Sequence, residues 1–204
     1  MVDMLINSVP SLNIPPIEPM EISSVGIDHN QKSNAFNMQS TFKNAKIHGL
    51  TTSNVKKTSA KFKNFSMKAE AFTKRLDFVG DYKMTGQILL FPISGEGFSN
   101  VSMNELITKH EIHGDYYEGK DNQTYIKITS YKIKFLPKWV TFIFDNLFNG
   151  DKLLGDTINN FMNSNWEPVF FGIIPDYEKS FGEKFKAVAN TLFNQVPANH
   201  IFLN

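Results

Sequence analysis

His110 and His113 are the first residues to weigh for chemistry, because they stand three apart in the run HEIH. A zinc site of the H-E-x-x-H type needs two histidines four apart on one helix face. Here the flanking sequence alternates as a strand does, and strand residues three apart point to opposite faces. The pair reads as two ordinary strand histidines. The run SGEGFSN around Gly95 and Gly97 has the glycines of a phosphate loop. No helix follows it, so there is no helix N-terminus to receive an anion. Cysteine is absent and no G-x-S-x-G occurs, which removes a thiol nucleophile and the nucleophile elbow. Carboxylates are scattered. Asp145, Asp151 and Asp156 gather only around a predicted helix start, where capping and the helix dipole account for them. No catalytic residue, metal or cofactor is assigned, and no enzyme is expected.

Composition narrows the remaining classes. The chain has 204 residues, 41% hydrophobic and 20% charged, with a net charge of +1. That is enough for a real core in a single domain spanning 1–204. The near-neutral balance gives no general attraction to nucleic acid. Arg75 is the only arginine, and arginine dominates bidentate recognition of phosphates and bases. No apolar run is long enough to cross a membrane as a helix. Lys56, Lys57, Lys61, Lys63, Lys68, Lys74 and Arg75 face only Glu70 in their stretch. This could dock an anion, but the solvated face of lysine-protected edge strands explains it as well. Asn64, Asn100 and Asn122 open N-x-S/T triplets, which arise by chance in an Asn-rich chain.

The elements come in two blocks after a lead-in. Residues 1–13 suit a short amphipathic helix around Val2, Leu5 and Ile6, and Pro15, Pro16 and Pro19 then hold the chain extended. From Met20 to Phe144 apolar and polar residues alternate. Strands are predicted over Ile22–Asp28, Phe36–Ile47, around Val55, from Phe65 through Leu90, and over 98–113, 124–135 and 139–144. FPISGEG (91–97) reads as a turn or bulge, and EGKDNQ as a hairpin loop. Alternation implies an antiparallel sheet with one covered and one wet face.

The cover must be the stretch from Asp151 to Gln195. Leu154, Ile158, Phe161, Met162, Trp166, Val169, Phe170, Ile174, Tyr177 and Phe181 recur at helical steps. A straight helix of that length would run on the order of 65 Å, with Asn149-Gly150-Asp151 as turn and N-cap. Pro168 and Pro175 must bend or break it. The predicted class is α+β, a long bent C-terminal helix wrapped by a highly curved antiparallel sheet. With 19 Phe and 8 Met, most large side chains build the core, and some could line a greasy internal cavity.

Several blocks resemble the insect takeout and juvenile-hormone-binding protein family. They are FKNAKIHGL (42–50), GDYKMTGQILLFPISGEG (80–97), DNLFNGDKLLGDTINNFMNSNW (145–166), the opening SVPSLNIPPIEPM and the tail FKAVANTLFNQVP. Their order and spacing cover residues 8–197. The resemblance implies the tubular lipid-binding fold, non-covalent carriage of a hydrophobic molecule such as juvenile hormone, and no catalysis. It also implies a signal peptide and an N-terminal disulfide, and this sequence shows neither. A cytoplasmic monomer is therefore expected, with a trimmed, haemolymph-type secreted protein as the alternative. A kink is expected at Pro168 beyond the family's bend at Pro175.

On this reading a lipophilic ligand (a juvenoid, terpenoid or fatty compound) enters an apolar tunnel. The predicted lining is Met84, Ile88, Leu90, Phe142 and Phe144 on strands, with Phe161, Trp166, Phe170 and Ile174 on the helix. A tyrosine hydroxyl from Tyr82, Tyr125 or Tyr131 would anchor one ligand oxygen. Adjacent strands of opposite phase would shift the list by one residue throughout. The competing role is a protein- or membrane-interaction module whose cavity is incidental or filled by structural lipid.

Overall fold

The computed structural model describes residues 16–28, 36–89 and 91–201. The expected N-terminal helix and Leu90 lie outside them. Seven strands follow one another: β1 (Met20–Asp28), β2 (Phe36–His48), β3 (Asn54–Lys61), β4 (Ser66–Ile88), β5 (Phe91–Glu118), β6 (Thr124–Leu136) and β7 (Trp139–Phe144). Helices α1 (Lys152–Ser164), α2 (Trp166–Phe193) and the short α3 (Ala198–Ile201) follow among the described residues. The class is α+β, as expected. All strand pairs are antiparallel, in the order β1-β2-β4-β5-β6, with β3 beside β4 and β7 beside β5. The sheet does not close on itself.

The 23-residue β4 and 28-residue β5 pair along the whole of β4. FPISGEG is therefore the start of β5, not a turn. Its glycines are there because other chain passes close. A Cβ on Gly95 would stand 2.6 Å from the Tyr82 hydroxyl, and one on Gly97 would stand 2.7 Å from the Asp145 carbonyl.

β5 also changes phase midway. Ser99 and Met103 are buried, then Leu106, Thr108 and Ile112. Glu105 between them has φ +44°, and β4 changes phase beside it, with Thr73 and then Leu76 buried and the pairing register kept. Ile107 is consequently left outside and Thr108 is taken in.

The helices close the strand edge that β6 and β7 leave open, using asparagine side chains as substitute strand partners. Asn163 accepts from the Phe142 amide at 2.8 Å and donates to its carbonyl at 2.8 Å. Asn159 does the same to Phe144 at 3.0 and 2.9 Å. Asn190 on α2 does it to Ile128 at 2.7 and 3.0 Å. Glu178, buried on α2, accepts from the Phe135 amide at 3.0 Å and pairs with Lys134. Each docks a helix while meeting the rule that buried backbone groups need partners. Asn163→Leu should cost about 2 kcal/mol, since the Phe142 amide and carbonyl both lose a partner. Urea denaturation reads this directly, and an unchanged midpoint would show that the edge is solvated.

The helix breaks at Asn165, not at Pro168. Asn165 has φ −120° and ψ 34°. Proline at 168 has no N–H for the Ser164 carbonyl and its ring would crowd that carbonyl. The chain avoids both by ending α1 at Ser164 and starting a new helix with Pro168 in its first turn. There a proline amide has no intrahelical duty. Pro175 stays inside α2. Asp151 caps α1 as expected, accepting from the Leu154 amide at 3.0 Å.

Candidate functional site

Between α2 and the concave face of the sheet lies a cavity of about 400 Å³. Phe42, Phe78, Phe135, Phe142 and Phe144 line it from the sheet, and Met162, Val169, Phe170, Ile174 and Phe181 from the helices. Among the described residues no Asp, Glu, Lys or Arg lines it. Val55, which also lines it, is 58% exposed. The cavity therefore meets solvent beside β3, near Ile17, Met20 and Leu50.

The wall has one band of polar groups. Ser53 and Thr73 share a hydrogen bond of 2.7 Å. On the next strand, His110 bonds the Thr108 hydroxyl through Nε2 at 3.0 Å and the Tyr131 hydroxyl through Nδ1 at 2.9 Å. Burial pushes the His110 pKa down to about 4, so its ring is neutral at physiological pH, and pushes Tyr131 up to about 12. Further along, the buried Tyr177 hydroxyl lies 2.8 Å from Ser40, and burial raises its pKa as well. A neutral imidazole held this far below its usual pKa is a poor proton acceptor. Among the described residues no group of three His, Cys, Asp or Glu side chains could hold a metal. The arrangement can solvate an oxygen atom within an apolar space.

The family model described as haemolymph juvenile hormone binding protein matches residues 1–203. The chain belongs to that family. Among curated relatives, the circadian clock-controlled protein daywake of Drosophila melanogaster is 25% identical over 201 residues, covering 96% of this chain and 77% of the relative. The Drosophila yakuba daywake is 24% identical over 199 residues, covering 95% and 76%. The crystal structure of Epiphyas postvittana Takeout 1 superposes with a TM-score of 0.86 at 20% identity, over 97% of this chain and 88% of that one. This second likeness shows a shared fold. The resemblance read from the sequence blocks is borne out at the level of the family.

In this juvenile-hormone-binding-family chain, Met84, Ile88, Tyr131, Phe142, Phe144, Phe170 and Ile174 face the cavity. Four other sequence candidates do not line it. Tyr82 is buried, but its hydroxyl donates to the Asp145 carbonyl at 2.6 Å and its ring stands edge-on to Phe144. Burial, then the Asp145 charge, raise its pKa to about 12. It pins β4 to the turn before α1. Tyr125 sits at the β5–β6 hairpin, stacked on Tyr117 and donating to Asp121 at 2.7 Å. Phe161 packs on Phe91, with ring centroids 4.3 Å apart, and Trp166 packs on Phe171. Both are partly buried against the core beside the cavity, not in its wall. Met162, one residue on from Phe161, takes the inward position, and Val169 keeps it seven residues later.

Sequence reasoning missed Thr108 and His110, whose inward phase depends on the irregularity at Glu105. It also left Phe78, Phe135, Tyr177 and Phe181 off the cavity list, although the last three sit at helix or strand positions of the right periodicity. The lysine stretch is dispersed. β3 is exposed throughout and, among the described residues, pairs only with β4, while Lys57 and Lys68 reach Glu70 and Glu111. His113 points outward to Glu111 at 3.2 Å, opposite in face to His110. No helix among the described residues is long and apolar enough to cross a membrane.

The buried histidine predicts a pH effect on stability. Its native pKa of about 4 lies below the ordinary histidine value of 6.5. Between these values the unfolded chain binds a proton that the native chain refuses. The stabilisation is thus complete above pH 6.5 and is lost as pH falls toward 4. The loss should be about 3 kcal/mol across that window. Glu96, Glu111 and Asp121 also have lowered pKa values, through hydrogen bonds to Lys83, His113 and Tyr125 respectively, but carboxylates act mainly below it. Thermal melts from pH 7.5 to 5 should slope in the native chain and flatten in His110→Gln.

Proposed function

We propose that this protein binds and carries a lipophilic small molecule, juvenile hormone or a similar terpenoid or fatty compound, in the cavity between α2 and the sheet. The observation that carries this reading is the cavity of about 400 Å³, walled by aromatic and aliphatic side chains and without a charged side chain among the described residues. That volume falls within the usual range for small-molecule sites. Burying roughly 300 Å² of ligand hydrocarbon yields about 7 kcal/mol before the cost of immobilising the ligand. A polar contact is needed to bring affinity into the submicromolar range, and the Tyr131 end of the polar band supplies one. The family membership and the Takeout-like fold support the same reading. The action is stoichiometric, with ligand entering beside Val55.

Native mass spectrometry of the purified protein tests it. A co-purifying lipophile that juvenile hormone displaces is the expected result. Protein that carries no ligand, and whose melting temperature no hydrophobic compound shifts, would sink the carrier reading.

A further inference from the structure

Hydrogen counting in the polar band says more about what the cavity grips. Thr108 and Tyr131 each bring one hydroxyl hydrogen, and a neutral His110 brings one N–H. The two bonds linking them, Tyr131 to Nδ1 at 2.9 Å and Thr108 to Nε2 at 3.0 Å, consume two of the three hydrogens. One hydrogen is left over. If Nδ1 carries the proton, it donates to the Tyr131 oxygen, Thr108 donates to Nε2, and the Tyr131 hydrogen is free. If Nε2 carries it, the bonds reverse and the Thr108 hydrogen is free. Among the described residues neither hydroxyl has another hydrogen-bond partner, and all three residues line the cavity.

We propose that Thr108, His110 and Tyr131 act as a one-hydrogen relay that grips a single uncharged acceptor oxygen of the ligand, the His110 tautomer deciding whether Tyr131 or Thr108 donates to it. The proposal rests on the carrier reading and sharpens it. It makes Thr108 and His110 specificity-determining residues alongside the tyrosine.

Three consequences follow from the chemistry. A pure hydrocarbon leaves the spare hydrogen without a partner, and a buried polar group in that state is penalised. A ketone, ester, ether or epoxide oxygen accepts it without bringing a charge. A carboxylate would need several donors or a cation, and one hydrogen with no Lys or Arg in the described wall cannot replace its water. The two donor positions are also distinct along the sheet. Thr108 stands opposite Ala71, in the row that leads to Val55 at the mouth, whereas Tyr131 stands opposite Ile112, four residues further along β5. Ligands with their oxygen at different distances from the end can thus be served by one relay.

The test uses the full chain and three probes of equal length: methyl pentadecyl ketone, heptadecane and heptadecanoic acid, each competing with a bound fluorescent lipid at neutral pH. The native protein should prefer the ketone over the alkane by about tenfold, the worth of one buried hydrogen bond, and should bind the acid more weakly than the ketone. Thr108→Val and Tyr131→Phe should each keep that preference to within about threefold, because the other hydroxyl takes over. The triple variant Thr108→Val/His110→Leu/Tyr131→Phe, which removes all three hydrogens, should lose it while binding heptadecane at least as tightly as the native protein, which also shows that its cavity is intact. Nitrogen NMR of His110 in the ketone complexes gives an independent reading: an Nδ1–H tautomer in Thr108→Val and an Nε2–H tautomer in Tyr131→Phe.

The relay is overturned by loss of the whole preference in Tyr131→Phe alone, by one tautomer in both variants, or by equal binding of ketone and alkane. In each case retained heptadecane binding leaves the carrier reading standing. Failure of all three probes to bind the native protein overturns both.

Discussion

Gly182→Ala is expected to destabilise the protein by about 3 kcal/mol, the upper end of what overpacking costs. Glycine inside a helix is ordinarily a liability, and alanine in its place gains up to about 1 kcal/mol. Here the sign reverses. At Gly182 α2 passes so near the sheet that a Cβ on it would stand 2.5 Å from the Tyr131 carbonyl oxygen. That oxygen belongs to a backbone paired with β5, so no rotamer change can make room. Either α2 lifts, loosening Phe181 and Phe185 on their ring neighbours Phe78, Phe135 and Tyr131, or β6 is pushed out of register. Gly155→Ala on α1 is the control. Its nearest contact would be ordinary, 3.7 Å from Leu147, and its propensity gain should appear. Denaturant midpoints moving in opposite directions for the two variants would support this account. A stabilised Gly182→Ala would show that the helix packing is far more yielding than the contact distance implies.

Ala71→Phe is expected to abolish ligand uptake without unfolding the protein. Ala71 is a small residue in the cavity wall, opposite Val55 on one side and Thr108 on the other. A phenyl group there would occupy the space between the mouth and the polar band. New apolar contact in an existing void adds about 1 kcal/mol or more of stability, while a ligand must give up the volume or stay out. Probe binding should fall at least about a hundredfold, nearly 3 kcal/mol, with a melting temperature that holds or rises. Undiminished binding in a folded Ala71→Phe would place the ligand somewhere else. Together these variants separate the helix–sheet contact that holds the fold from the void that the fold leaves.

Much of the site could be read before any coordinates. Met84, Phe142 and Phe144 face the cavity because they sit on strands whose alternation is unbroken around them. Phe170 and Ile174 do so because they keep helical spacing within α2. The failures have local causes. β4 and β5 change inward phase together beside Glu105, with their register kept, so that Thr108 and His110 turn inward where strict alternation would have chosen Ile107. Phe161 and Trp166 pack at the margin of the core, on Phe91 and Phe171, while Met162 and Val169 hold the inward face. Tyr82 fails differently. Its burial was a fair expectation, but its hydroxyl is taken by a backbone carbonyl 63 residues along the chain.

The sequence by itself determined the α+β class, the antiparallel pairing, the helix start at Asp151 and the family. These follow from periodicity, capping and ordered motifs, which act over a few residues or persist as linear text. Only the tertiary structure decided where the helix breaks, which face of each strand looks inward after a local irregularity, and how the open sheet edge is closed by Asn159, Asn163 and Asn190. It alone brought Thr108, His110 and Tyr131 into one hydrogen-bonded chain. Pattern rules assume an unbroken period, and a local change of phase in paired strands alters which side chains face inward beyond it.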